Sequence, residues 1–337
     1  MTDMLSQIRS LGEQLRWAAA QPTPAIGTQS EILYVGMGGS GIAGDYVGAI
    51  AEPFGTRVTI HKGYGPIAPW MIRQRPLVVA ASYSGNTEET LDYVMAAHES
   101  GLFVATITTG GHLGELSAAH DWPTVSVPSG MQPRAAAGYM IGAALIVLAG
   151  AHAVDDQRLA LVEAADLADQ ATAEGSHRWV EAASIAEGLR GRIPIIYGGG
   201  PVSGVVAQRW KTQINENAKV PAWWSVLPEL DHNEITGWET MPEMTREQVG
   251  IVALRDRSDH DRMAHRLAHT RALTEDAVPW VGEVNSTGVS LLARLVSLTT
   301  VGDLASLMLA ESAGVDPVPV ATIEKLKKLL VTKTEDS

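Results

Sequence analysis

The sequence predicts an α/β protein made of two subdomains, each with a parallel sheet flanked by helices. Short apolar runs alternate with helical patterns along the chain, and continuously apolar strands between helices are typical of a parallel sheet covered on both faces. A length of 337 residues is ample for a large core and favours two domains over one. We expect residues 1–153 to form the first subdomain and residues 154–337 the second, which also includes a C-terminal helix.

The predicted strands follow one another in two series. The first series consists of EILYV, RVTIH, PLVVAAS, LFVATIT and PTVSVP, and the second of IPIIYGG, VPAWWSV, VGIVAL and VPWVGE. A charged helical stretch, residues 155–189, connects them. Residues 135–154 contain no Lys, Arg, Asp or Glu, and their Ala- and Gly-rich composition predicts a helix buried between layers rather than a membrane span.

Composition limits the classes of partner. The formal net charge of −13 argues against nucleic acid or an anionic membrane, because phosphates need a basic surface. An anionic substrate must therefore be bound by a local arrangement of donors. The absence of cysteine excludes disulfides and thiolate metal sites and fits a reducing compartment. The N-terminal residues predict an amphipathic helix without the apolar region of a signal peptide, so we expect a cytoplasmic protein.

The glycines of GMGGSG, residues 36–41, follow the first predicted strand with the spacing of a dinucleotide-binding turn. NAD also needs an acidic residue at the end of the next strand, but that strand ends with His61 and Lys62. NAD is therefore not expected. Two alternatives remain: glycines that only permit close packing, or N–H groups and Ser40 that face a ligand at a helix N-terminus.

The two halves of the chain resemble each other at these turns. ILYVGMGGSGIAG (32–44) and IIYGGGPVSGVVA (195–207) both predict a strand, a glycine turn, a Ser-Gly pair and a helix. Each turn opens its own series of strands and helices, which favours an internal duplication of one α/β unit.

A second turn, in ASYSGNTEET (81–90), collects Ser82, Ser84 and Thr87 around Gly85 between a strand and a helix. Helix N-termini have free N–H groups and a partial positive charge, so they bind phosphate without a lysine. The G-K-[ST] sequence of a P-loop is absent here. The turn therefore predicts a binding site for a phosphate monoester.

The alternative for this turn is an ordinary helix cap, with Asn86 as the N-cap and Glu89 three residues later. One cap needs one hydroxyl or amide, whereas this turn supplies three hydroxyls and a glycine. We therefore favour the phosphate site over the cap.

Several charged residues stand in unusual positions. Arg134 begins the long apolar helix, where a cation opposes the helix dipole, so it either pairs with an acid or faces a negative substrate. Glu216 falls beside Arg209, off the apolar face of its helix, and periodicity predicts a solvated carboxylate at a helix end. Taken alone, His232 is interpreted as a loop histidine rather than a catalyst.

Near the C-terminus, IEKLKKLL places Ile323, Leu326 and Leu330 on one helix face. Lys327 lies on that apolar side, where an unpaired ammonium is costly. It either extends along the helix flank to water or contacts a substrate.

His265 and His269 have the i, i+4 spacing of a metal-binding pair. Neighbouring arginines and the lack of a third ligand nearby favour a solvent-facing helix instead. No metal is expected.

Taken together, GMGGSGIAGD, SYSGNTEET, PRAAAGY, NENAK, ELDHNEITGWE and IEKLKKLL resemble the bifunctional phosphoglucose/phosphomannose isomerases of the sugar isomerase (SIS) superfamily. The motifs match in order along nearly the whole chain. The resemblance implies two SIS-type subdomains, a homodimer with its active site shared between subunits, a sugar phosphate as substrate, and neither a metal nor a redox cofactor.

The resemblance also implies roles for the residues at matching positions. The substrate, and above all its phosphate, would be bound by Gly39, Ser40, Ser82, Ser84 and Thr87. Arg134 would neutralise an enediolate, and Glu216 would move a proton between C1 and C2. His232 of the neighbouring subunit would assist ring opening, while Lys327 would contact the substrate and assist proton transfer at the ring.

A second interpretation is a non-catalytic SIS protein that senses a sugar phosphate. A sensor needs only the phosphate turn, whereas the full set Arg134, Glu216, His232 and Lys327 is what an isomerase needs. We therefore favour the enzyme.

Overall fold

The structure, a computed structural model, describes residues 3–332 and the side chains of residues 3–330. Two short N-terminal helices, α1 (Met4–Arg9) and α2 (Leu11–Ala19), precede the first sheet. Arg16 of α2 forms ion pairs with Asp166 and Asp169, at 2.7 and 2.6 Å, so the N-terminus packs against a helix of the second half.

The first sheet is parallel and has the strand order β2-β1-β3-β4-β5. Its strands are β1 (Glu31–Val35), β2 (Arg57–His61), β3 (Leu77–Ser82), β4 (Val104–Thr108) and β5 (Thr124–Ser126). Its helices are α3 (Gly38–Ala51), α4 (Pro69–Gln74), α5 (Glu88–Glu99), α6 (Gly111–Ala119) and α7 (Ala137–Gly150), with a 3₁₀ turn at Glu52–Phe54. Strand order reverses between β1 and β3, and ligands of open α/β sheets bind at the carboxyl ends of such a pair.

The second sheet is also parallel, with the order β7-β6-β8-β9. Its strands are β6 (Ile193–Gly198), β7 (Trp223–Val226), β8 (Val249–Arg255) and β9 (Val281–Asn285). The remaining helices are α8 (Arg158–Thr172), α9 (His177–Leu189), α10 (Pro201–Gln213), α11 (Glu234–Gly237), α12 (Pro242–Gln248), α13 (Arg262–Thr274), α14 (Leu291–Ser312) and α15 (Ala321–Thr332). A π-helical turn (Ile214–Ala218) follows α10, and a 3₁₀ turn (Glu229–His232) precedes α11.

Each strand predicted from the sequence is present, and the fold class of two parallel α/β subdomains is confirmed. One continuous core joins the halves and includes Tyr46 of α3, Trp210 of α10 and Leu298 of α14. Trp210 Nε1 donates to the Leu298 carbonyl at 2.9 Å. The boundary between residues 153 and 154 lies between α7 and α8 and stays a prediction.

The apolar helix α7 is buried along almost its whole length, as its composition predicts. A Cβ at Gly142 would lie 2.3 Å from the Ala18 Cβ, so the small residue permits the close approach of α2. Among the described residues, α14 alone is long and apolar enough to cross a membrane, and 83% of its apolar window is buried in the protein.

Candidate active site

The predicted phosphate turn connects β3 to α5 at the carboxyl edge of the first sheet. Ser82 is fully buried and its Oγ lies 2.8 Å from Thr87 Oγ1, whereas Ser84 is exposed. Gly85 has φ 71°, and a Cβ there would lie 1.8 Å from the Gly110 carbonyl oxygen. The turn therefore requires glycine at this position, both because a Cβ would clash and because glycine adopts this left-handed backbone conformation without strain.

The capping alternative for this turn is wrong in its residues. Thr87, not Asn86, occupies the N-cap of α5, and no side chain caps the helix. The Asn86 side chain turns away, and its Oδ1 accepts a hydrogen bond from the N–H of His112 at the start of α6, at 3.0 Å. The first N–H groups of α5 are thus left without a side-chain acceptor, which suits an anionic ligand.

The glycine turn after β1 lies against the same site. Ser40 is buried, and its Oγ accepts from the Tyr83 N–H at 3.0 Å, which joins the two turns. A Cβ at Gly39 would lie 2.7 Å from the Pro133 carbonyl oxygen and 3.2 Å from the Arg134 Cα. Only glycine lets the backbone before α7 come this close, and that approach brings Arg134 to the edge of the site.

The corresponding turn of the second half is arranged differently. Ser203 Oγ accepts from the Gly199 N–H of its own turn at 2.7 Å. A Cβ at Gly200 would lie 2.9 Å from Oδ1 of Asp259, so a carboxylate of the chain lies against this turn. This carboxylate, which is paired with Arg255 at 3.1 Å, makes the turn less suited to an anion than the corresponding turn of the first half.

Arg134 is 3% exposed and is held by several acceptors. Nε donates to Asn217 Oδ1 at 2.8 Å, and Nη1 donates to Gln132 Oε1 at 3.1 Å. Nη2 donates to the carbonyls of Pro317 and Val318, at 2.6 and 3.0 Å. Burial lowers the pKa of the Arg134 guanidinium and the charge of Glu216 opposes this shift, but arginine stays protonated at neutral pH.

Glu216 lies beside this guanidinium, with Oε2 3.6 Å from Arg134 Nη1. Its side chain is 28% exposed, so the carboxylate is partly solvated at the end of a helix, but it also contacts a buried guanidinium that periodicity does not predict. The periodicity argument fails because residues 214–218 form a π-helical turn, which shifts the direction of the side chains that follow α10. Such turns occur frequently at functional sites.

A cavity of about 310 Å³ opens next to Glu216. It is lined by Asn215, Glu216, Lys219 and the residues at the start of α15, 320–323. Lys219 has φ 58°, and its ammonium donates to the Glu216 carbonyl. Partial burial and the repulsion of Arg134 both lower the pKa of Lys219. This volume at a carboxylate and a guanidinium is suited to the reacting end of a small substrate.

Sequence reasoning assigns no role to Lys219 or Asn217, although both lie in the NENAK motif. The sequence offers one signal for them, which is that both stand within three residues of Glu216. Helical periodicity predicts neither the contact of Asn217 with Arg134 nor that of Lys219 with the Glu216 carbonyl.

His232 and Lys327 do not join the Arg134–Glu216 pair in the described chain. His232 is exposed at the end of its 3₁₀ turn, and Lys327 is exposed on α15. The apolar face of α15 is exposed as well, with Ile323, Leu326 and Leu330 at 42, 56 and 50%. Because this face is exposed, the Lys327 ammonium is not buried in the single chain, and the free-energy cost expected for an unpaired buried charge does not arise there.

His265 and His269 are exposed on α13, as the solvent-facing interpretation predicts. They line a cavity with Arg262, Arg266 and Asp231, and the Asp231 carboxylate is paired with Arg266 at 2.9 Å. Among the residues that the structure describes, no group of three or more His, Asp or Glu side chains is arranged to hold a metal ion.

The fold and the two turns define a protein of the SIS class, and comparisons with known proteins agree. Residues 180–330 match the family model described as the bacterial phospho-glucose isomerase C-terminal SIS domain. The C-terminal domain of glucosamine-fructose-6-phosphate aminotransferase from Francisella tularensis has a similar fold, with a TM-score of 0.71 at 15% identity, covering 94% of this chain and 98% of that chain.

Two curated proteins are similar over most of their length, and both are named bifunctional phosphoglucose/phosphomannose isomerase. The protein from Caldicellulosiruptor bescii is 38% identical, covering 89% of this chain and 89% of the relative. The protein from Aquifex aeolicus is 35% identical, covering 98% and 99%. The chain belongs to the family of bifunctional phosphoglucose/phosphomannose isomerases, and the SIS assignment made from the sequence is confirmed.

Proposed function

We propose that the protein is an aldose–ketose isomerase that interconverts glucose 6-phosphate, and also mannose 6-phosphate, with fructose 6-phosphate. The observation that carries this proposal is the contact between Arg134 and Glu216, at 3.6 Å, with a cavity next to Glu216. Family membership supports it. A sensor of sugar phosphates has no need of a carboxylate held beside a buried guanidinium.

The proposed chemistry has three parts: binding of the phosphate, transfer of the proton and stabilisation of the enediolate. The N-terminus of α5 and the hydroxyls of Ser82, Ser84 and Thr87 bind the phosphate, together with Gly39 and Ser40 at the adjoining turn. Glu216 takes the proton from C2 of the open-chain aldose and returns it to C1, while the hydroxyl proton moves from O2 to O1. Arg134 stabilises the negative charge of the enediolate between these steps.

This mechanism accounts for two aldoses as substrates. C2 is planar in the enediolate, so glucose 6-phosphate and mannose 6-phosphate, which differ only at C2, give the same intermediate. Neither step needs a metal or a redox cofactor, because a carboxylate and a guanidinium supply the base and the positive charge.

We further propose that two chains form a homodimer in which His232 of the partner subunit assists ring opening. His232 and Lys327 are exposed, and no hydrogen bond joins either one to Glu216 in the described part of the chain. The exposed apolar face of α15 also favours a partner. Lys327 contacts the substrate and assists proton transfer at the ring once the dimer has formed. A cytoplasmic location remains our expectation.

Proton exchange tests the proposed function directly. Purified protein is incubated in D₂O with fructose 6-phosphate, and NMR follows the appearance of both aldose phosphates and of deuterium at the carbon-bound position. We expect both products and incorporation of solvent deuterium. Binding of fructose 6-phosphate without any turnover would leave the sensor as the correct interpretation.

A further inference from the structure

Behind the Arg134–Glu216 pair lies a set of buried polar side chains that the proposed chemistry does not use. Asn217 and Ser306 have no exposed surface, and the side chains of Arg209 and Asp303 are 2 and 6% exposed. A buried ion pair contributes little net stability, and replacing it by apolar residues is often neutral. Their position next to Arg134 points to another role.

Asn217 is held in one orientation by its neighbours. Ser306 Oγ donates to the Asp303 carbonyl at 2.8 Å and accepts from Asn217 Nδ2 at 2.9 Å. The amide oxygen is therefore the end that faces Arg134, and it accepts from Nε at 2.8 Å. Arginine has donors only, so the opposite orientation of the amide would leave that bond unmade.

Asp303 and Ser306 both belong to α14, and this helix also fixes the backbone of Arg134. Arg209 Nη2 donates to the Arg134 carbonyl at 3.1 Å and to Asp303 Oδ2 at 2.7 Å. Burial lowers the pKa of Arg209, but the charge of Asp303, the hydrogen bond to it and the influence of Tyr46 and Glu216 together outweigh this effect, and the pKa is raised. Both ends of Arg134 are thus held by contacts that lead to α14, one through Arg209–Asp303 and the other through Asn217–Ser306.

The charge of the groups that accept hydrogen bonds from the Arg134 guanidinium matters for the proposed chemistry. The acceptors that hold the Arg134 guanidinium in the described chain are neutral: the side chains of Asn217 and Gln132, and two backbone carbonyls. The nearest negative charge is Glu216, at 3.6 Å, and the nearby cations are Lys219 and Arg209. Glu216 loses its charge when it accepts the substrate proton, at the moment when the enediolate gains one.

We propose that Asn217 is a positioning residue for Arg134, which holds the guanidinium through a neutral amide so that its positive charge stays available to the enediolate. A carboxylate at position 217 would hold the guanidinium as well but would neutralise it. The inference rests on the proposed isomerase function, because it assigns Arg134 to the enediolate. Fixed charges that need no rearrangement during the reaction are the main source of such stabilisation.

The test uses Asn217→Asp, which keeps the shape and the acceptor atom but adds a charge. We expect kcat for fructose 6-phosphate to fall about tenfold or more while KM changes by less than about threefold. The acid limb of the kcat/KM profile should move to higher pH by about one unit, because a second carboxylate repels the ionised base. Loss of stability alone would not move a pH profile.

Two further variants keep the result interpretable if Asn217→Asp folds poorly. Ser306→Ala removes the hydroxyl that orients the amide, together with its bond to the Asp303 carbonyl, and adds no charge. We expect a fall in kcat of about two- to fivefold with KM unchanged. Thr172→Val is the control, since it removes a buried hydroxyl of α8 that bonds the Ala168 carbonyl at 3.0 Å. It should lower the melting temperature and leave kcat and the pH profile unchanged.

The outcomes separate the two proposals. An active wild type whose Asn217→Asp variant keeps its kcat and its acid limb overturns the positioning role alone. If that variant does not fold, an unchanged kcat in Ser306→Ala overturns it instead. A folded wild type without isomerase activity overturns the proposed function, and the positioning role with it.

Discussion

Nη1 of Arg134 lies 3.6 Å from Oε2 of Glu216, although Arg134 precedes α7 and Glu216 follows α10. The contact joins the two halves of the chain at the edge of the cavity. The shared core brings the proposed base and the proposed electrostatic stabiliser to one place, so the fold of both halves is a condition for the proposed activity.

Glu216→Gln keeps the shape of the side chain but cannot accept a carbon-bound proton at neutral pH. We expect kcat to fall by about 100-fold or more, the scale of a lost general base, while fructose 6-phosphate still binds. Steady-state kinetics give kcat, and the shift of the melting temperature by the ligand reports binding. A variant that retained solvent-deuterium exchange at the wild-type rate would exclude Glu216 as the base.

The double variant Ser84→Ala/Thr87→Ala tests the phosphate turn. Each hydrogen bond lost to a charged group is worth about 1.5–3 kcal/mol, so KM should rise by more than about tenfold. Ser100→Ala is a matched control at the other end of α5, where the Ser100 hydroxyl bonds the Ala96 carbonyl at 2.8 Å. We also expect free fructose to be neither a substrate nor a good inhibitor. Wild-type KM in the double variant would mean that the hydroxyls do not bind phosphate.

Mixing two inactive variants tests the shared site. If His232 serves the partner subunit, a mixed dimer of Glu216→Gln and His232→Ala has one site with both changes and one with neither. Random exchange of subunits should then restore about a quarter of the wild-type activity, since half of the dimers are mixed and each has one intact site. Subunit exchange is verified with differently tagged chains. No recovery despite exchange would place both residues in the site of one subunit. His232→Ala alone should slow turnover of the closed-ring substrate more than that of open-chain material.

Removal of metal ions should leave the activity unchanged. Exhaustive dialysis against EDTA is followed by assay in metal-free buffer, with and without added zinc. The expectation follows from the proposed mechanism, in which Glu216 is the base and Arg134 supplies the positive charge. Activity that is lost on chelation and restored by zinc would contradict it and would make His265 and His269 candidate ligands.

Acid should destabilise the second subdomain through Asp256. Burial raises the pKa of Asp256, but hydrogen bonds from Ser258 and Ser286 outweigh this effect, so the pKa is lowered. A carboxylate with a lowered pKa in the folded state stabilises above its unfolded value of about 3.9, and this stability is lost as the pH falls through the folded pKa. Asp256 is also paired with the largely buried Arg294 at 3.1 Å, so Asp256→Asn, which leaves that charge unpaired, should cost about 3–5 kcal/mol of unfolding free energy at pH 7.

Urea unfolding of the wild type and of Asp256→Asn, at pH 7 and at lower pH, measures this loss of stability. The difference between them should shrink once the pH falls below about 4. The exposed Asp261 provides a matched control, since Asp261→Asn should change stability by less than about 0.5 kcal/mol at either pH. A difference that stays constant with pH would show that Asp256 acts by shape and not by charge.

The strands can be predicted from the sequence because continuous apolar runs of this length, set between helical patterns, are typical of buried parallel strands. Glu216 cannot be placed by periodicity, since that argument assumes 3.6 residues per turn and the chain forms a π-helical turn there. Capping rules predict Asn86 as the N-cap of α5, but its partner, His112, belongs to the next strand–helix unit. Periodicity and capping rules consider only neighbours along the chain, so they do not predict contacts between separate strand–helix units.

The position of Arg134 shows the same limit. The prediction that Arg134 begins the apolar helix is wrong, because α7 begins at Ala137 and Arg134 lies in the turn before it. The predicted conflict with the helix dipole indicates that Arg134 needs a partner, but the partners lie in distant parts of the chain. The resemblance to the family implies that Arg134 and Glu216 serve one active site, and the structure adds their contact at 3.6 Å, which neither charge nor spacing predicts.

The π-helical turn at residues 214–218 also makes the site sensitive to the length of the chain as well as to its chemistry. A π turn contains one residue more than an α turn, so deleting a single residue here would let α10 continue as a regular helix. Each residue step in an α-helix corresponds to a rotation of about 100°, which would point the carboxylate of position 216 away from Arg134. In this segment, single-residue deletions should therefore be as damaging as replacement of the base itself.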